Sequence, residues 1–96
     1  MLIKAGVDIS RLRPEVRKRL GNVARVIGDR NGELTITSTY EGNHGAGSLH
    51  YANAAIDIRY PPDKTKAIKP TLKKALGEDF DVVEELDHIH IEYDPK

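Results

Sequence analysis

Leu12, Val16, Leu20, Val23 and Ile27 recur at steps of four, four, three and four, the spacing of one face of an amphipathic helix. Gly28 is placed to end that helix. From Glu33 to Tyr40 the pattern changes to polar–apolar alternation rich in β-branched residues, which predicts a strand with one covered face. EGNHGAG at 41–47 has three glycines in seven residues and reads as a loop whose backbone can approach a site closely. Ala54 to Tyr60 reads as a second strand, stopped by Pro61-Pro62. Ala67, Ile68, Leu72, Ala75 and Leu76 suggest a second helix, ended by Gly77. Pro70 leaves its start open: the helix begins at the proline, or earlier with a kink. Val82 to Tyr93 reads as a third strand, with room for a tight turn at Glu84 to Asp87. The order of helix, strand, loop, strand, helix and strand predicts a small α+β domain over 1–96, with two helices flanking a mostly antiparallel sheet.

Composition narrows the chemistry. A chain of 96 residues forms one domain and buries only about 60 to 68 percent of its unfolded surface, so a bound metal would add usefully to stability. There are no cysteines, which leaves nitrogen and oxygen as the only metal donors. No apolar run suits a secretory leader or a membrane span, so a soluble chain of unknown localisation is expected. Net charge is zero, but residues 1–30 carry eight Lys or Arg against three acids, and 31–96 carry seven against twelve. The basic residues of the first helix fall mainly off its apolar stripe and read as a solvated face. Without aromatic interleaving or an overall basic balance, no nucleic-acid partner is expected.

The four histidines are concentrated in the chain. GSLHYANAAIDIR at 47–59 and ELDHIHIEYD at 85–94 hold three of them, and His44 lies six residues before His50. On the last strand His88 and His90 share a face, while Ile89 and Ile91 take the other. Asp57 sits mid-strand between Ile56 and Ile58, where an ionised carboxylate is costly to bury unless paired or metal-bound. Taken singly, each residue has a plainer reading: an arginine partner for Asp57, half-exposed sheet positions for His88 and His90, a surface loop for His44. Together His50, Asp57 and His90 supply two imidazoles and a carboxylate, the ligand set of a catalytic zinc with its fourth position open.

SLHYANAAIDI followed by HIH resembles the zinc site of the hedgehog signalling domain and of the D-Ala-D-Ala carboxypeptidases and phage peptidoglycan endopeptidases that share its fold. LTITSTYEG resembles the strand and loop that precede the first ligand there, so the likeness spans roughly 33–92. The resemblance implies a bacterial hedgehog-like domain. It implies that His50, Asp57 and His90 bind Zn2+, with His44 and His88 beside the metal. It further implies hydrolysis of a peptide or amide bond by a zinc-bound water, with a nearby carboxylate as base. Anchored on HIH, Glu84 matches the glutamate of the hedgehog branch and Asp87 the acid of the carboxypeptidase branch. Strand parity favours Glu84, which shares a face with His88 and His90, and points Asp87 away; a turn at Glu85 to Asp87 would void that argument. His88, or His44 from the loop, is the candidate for polarising the scissile carbonyl.

Two departures bear on function. Asn53 replaces the glycine that the peptidases carry three residues after the first ligand, and Glu41 replaces an arginine that helps them hold substrate. The loop before His50 retains only Glu41 as an acid, so the calcium site of hedgehog domains is expected to be absent or weak. Two expectations result. The first is a zinc metallopeptidase acting on peptide or peptidoglycan fragments; the alternative is a catalytically silent, zinc-stabilised module that binds a protein partner. Neither fixes an oligomeric state.

Overall fold

The computed structural model describes residues 1–39, 54–63 and 67–95. Its elements are β1 (Leu2–Ile3), α1 (Pro14–Arg17), α2 (Leu20–Gly28), β2 (Thr35–Ser38), β3 (Ala55–Arg59), α3 (Lys69–Leu76), β4 (Phe80–Glu84) and β5 (His88–Tyr93). Among the described residues these strands form one sheet in the order β1-β2-β3-β5-β4. β1 runs parallel to β2, and every other pairing is antiparallel, which gives the expected mostly antiparallel α+β architecture. The glycine-rich segment 41–47, with Glu41 and His44, and the stretch carrying His50 and Asn53 lie outside the described residues.

The apolar stripe of the first helix is buried as expected, but the helix is not continuous. α1 stops after one turn, and the Arg19 amide bonds the Val16 carbonyl three residues back, a tighter step than the α-helical ladder. Gly21, with low helix propensity, sits in the first turn of α2. α2 ends at Gly28 as expected, but the left-handed residue that closes it lies three positions further on. The Gly32 amide bonds the Ile27 carbonyl and the Asn31 amide bonds that of Gly28, with Asn31 at φ 61. That is a Schellman closure in which asparagine takes the left-handed position usually given to glycine. α3 does end at Gly77, whose φ of 96 a side chain would disfavour, and it begins beside Pro70 rather than with an earlier kink.

Helices and sheet meet on one apolar face. Val23, Val26 and Ile27 of α2 and Leu72 and Leu76 of α3 are buried with Leu34, Ile36, Ile56, Ile58, Val82, Ile89 and Ile91. Because strand side chains alternate, filling this face with Ile56, Ile58, Ile89 and Ile91 turns Asp57, Arg59, His88, His90 and Glu92 to the other.

The third predicted strand is a hairpin. The Glu85 amide bonds the His88 carbonyl at 2.9 Å, so Leu86 and Asp87 form the tip of a tight turn between β4 and β5. The turn corrects the parity argument for both carboxylates. Glu84 opposes Ile89 in the ladder and so shares the face of Ile89 and Ile91, not that of His88 and His90. Asp87 belongs to no strand, and its carboxylate reaches His88 instead of pointing away.

Candidate metal centre on the polar face of the sheet

Asp57 of β3 and His90 of β5 are direct neighbours in the ladder. The Asp57 Oδ1 lies 3.0 Å from His90 Nδ1, and the other ring nitrogen, Nε2, lies 2.7 Å from Glu92 Oε1. The imidazole is therefore clamped between two carboxylates, and its pKa is raised, chiefly by the hydrogen bond to Asp57, with burial opposing and Glu92 assisting. His88, two residues earlier, holds Nε2 3.8 Å from the second Asp57 oxygen, while its Nδ1 contacts Asp87 Oδ1 at 2.7 Å. That hydrogen bond is also the main cause of a lowered Asp87 pKa. Asp57 is 9% exposed, so its charge is compensated by imidazoles rather than by bulk water.

Two local features position this cluster. The β2–β3 register shifts between Ile36 and Ser38, where Ser38 comes to oppose Asp57, and the Thr37 hydroxyl donates to the Asp57 carbonyl at 3.3 Å. Such irregularities re-aim side chains at the rim of a sheet. At the far end the Tyr60 hydroxyl donates to the Glu85 carbonyl at 2.8 Å, tying the β4–β5 turn to the end of β3. Burial, then the charges of Glu84, Glu85 and Asp87, raise the Tyr60 pKa, which keeps it a donor.

Three of the residues singled out in the sequence, Asp57, His88 and His90, are thus brought together on one face, and Asp87 joins them from the turn. Glu84 does not. His50 and His44 lie outside the described residues. Asp57 and His90 set a carboxylate oxygen and an imidazole nitrogen 3.0 Å apart, near the separation of about 3.3 Å between neighbouring donors in tetrahedral coordination with bonds of about 2.0 Å. Glu92, which sequence reasoning passed over, supplies the second carboxylate that holds the His90 ring in place. Its signal was its position two residues beyond His90 on the same strand face.

A second group was also passed over. Asp81, Glu92 and Asp94 place one carboxylate oxygen each within 4.8 Å of one another, an arrangement able to hold a cation. Asp81 and Glu92 are opposed in the ladder, a pairing visible only once the hairpin is known. An all-oxygen set suits a hard cation better than zinc, and the Lys73 ammonium already lies 3.9 Å from Asp81. Among the described residues no helix is long and apolar enough to cross a membrane. Comparisons with family models, curated proteins and solved structures find no match to this chain.

Proposed function

We propose that the chain is a hedgehog-like, zinc-dependent metallopeptidase domain that hydrolyses peptide bonds in peptidoglycan-type substrates. The observation that carries this reading is the Asp57–His90–Glu92 chain of contacts, which presents a carboxylate and a carboxylate-oriented imidazole side by side. Asp57 and His90 would hold the metal with His50 as the third donor, and His44 would stand near it. Bound zinc supplies a water of pKa about 7 and polarises a carbonyl oxygen. Asp87 fixes the ring of His88 so that Nε2 faces Asp57, an orientation that makes His88 the group to hold or move a proton beside the metal. Asp87 remains ionised as the orienting partner, and its place in the cleft supports it over Glu84 as the functional carboxylate.

The test is zinc-dependent release of fragments from muropeptides, read by mass spectrometry. Cleavage by the zinc-loaded protein, lost in His88→Ala with zinc retained, supports the peptidase. A zinc-loaded protein inert on every fragment sinks it and leaves the zinc-stabilised binding module.

A further inference from the structure

A cleft of about 270 Å³ opens beside the cluster, lined by Lys4, Thr37, Asp57, Arg59, Asp87 and His88. Two cations therefore line it, one from β3 and one from the residue that follows β1. Arg59 follows Asp57 by two residues, shares its face and opposes His88 in the ladder. Lys4 follows β1, where its amide bonds the Ile36 carbonyl, so it stands alongside Thr37.

The charges of this cleft are unequally satisfied. Asp57 contacts His90 and His88, and Asp87 contacts His88, so both carboxylates already have imidazole partners. Lys4 and Arg59 are both exposed, and among the described residues neither makes an ion pair. An arginine fork and an ammonium flanking one small cleft form a recognition element for a carboxylate. Binding a cation at Asp57 would further remove negative charge from the cleft and strengthen its hold on an anion.

We propose that Lys4 and Arg59 form a carboxylate-binding subsite that selects peptides carrying a carboxylate next to the bond presented at Asp57 and His90. The proposal rests on the peptidase reading for the identity of the ligand as a peptide, but the subsite does not need the metal to be tested.

The experiment is an NMR chemical-shift titration of the whole chain, zinc-free and with zinc added, using acetyl-alanyl-alanine, its C-terminal amide, and acetyl-glutamyl-alaninamide. The free acid is expected to bind about three- to tenfold more tightly than the amide, as exposed charge pairs allow. That preference is expected to vanish in Lys4→Gln/Arg59→Gln and to return in part with Arg59→Lys. Binding of the glutamyl amide like the free acid would make a side-chain carboxylate the group read; binding like the plain amide would make it the chain terminus. No binding of the free acid, equal binding of acid and amide, or a preference that survives in the double variant overturns the subsite. A preference that appears only with zinc and ignores the double variant marks direct capture by the metal and also overturns it. Zinc-dependent cleavage of muropeptides by the same samples tests the peptidase reading separately.

Discussion

Asp57 and His90 occupy opposed positions of the β3–β5 ladder, with carboxylate and imidazole 3.0 Å apart and the far side of the ring held by Glu92. In the absence of metal this geometry favours an imidazolium that donates from both nitrogens. The same proton on Nδ1 would stand where the proposed metal would bind, so protonation and metal binding would compete at one atom.

The pH dependence follows from that competition. The folded pKa of His90 is raised above the ordinary histidine value of about 6.5. In the metal-free protein its stabilising contribution is therefore fully present below that value and is lost as pH rises through the folded pKa. Zinc affinity is expected to do the opposite and rise with pH over the same window. NMR titration of the His90 ring and metal competition at several pH values check the two trends. In Asp57→Asn the His90 pKa should fall, since the largest raising cause is removed.

Glu92 should matter to the metal without touching it. Glu92→Gln is expected to weaken zinc binding by about ten- to a hundredfold, the usual effect of losing a carboxylate that orients a ligating histidine. Competition against a chromophoric chelator measures it. Affinity equal to that of the unaltered protein would remove Glu92 from the site.

The turn separates the two candidate carboxylates experimentally. Asp87→Asn should lower zinc-dependent cleavage through misorientation of His88, leaving zinc content unchanged, whereas Glu84→Gln should leave both intact. Steady-state rates together with metal analysis of the two variants decide the matter. The reverse ranking would contradict the face assignment that the β4–β5 register gives.

Tyr60→Phe removes the hydroxyl that anchors the turn to β3. A cost of about 0.5–1.5 kcal/mol is expected in denaturant unfolding, with faster amide exchange at Glu85 to His88. On the opposite face, Leu72→Ala empties a fully buried position between α3 and the sheet and should cost about 2–5 kcal/mol.

The apolar periodicities carried most of the architecture, because burying one face is what both helices and strands must do. Leu12 to Ile27 is buried along its whole stripe, and Ile89 and Ile91 point to the core while His88 and His90 turn away, as alternation requires. What periodicity does not encode is where hydrogen bonding changes type. The stripe is blind to the tight step at Arg19 and to Asn31, where the left-handed residue of the closing turn sits. β1 contributes only Leu2 and Ile3, both exposed, so no pattern of burial marks it.

At the site, the grouping of Asp57 with His88 and His90 was legible because all three lie on predicted strands with clear parity. Glu84 and Asp87 were not, since two residues at the tip of a turn reset the alternation for everything before them. Lys4 and Arg59 were equally hidden: one lies at the far end of the chain from the hairpin, and their shared cleft exists only once β1, β2, β3 and β5 are set side by side.

The most direct measurement is zinc per chain, by elemental analysis of protein refolded with zinc and dialysed, across four forms. One zinc is expected in the unaltered chain and in Asp81→Asn/Asp94→Asn, and none in Asp57→Ala or His90→Ala. A protein that retains no zinc, or one whose zinc survives loss of Asp57 and His90 but disappears with Asp81 and Asp94, would contradict a metal centre between β3 and β5.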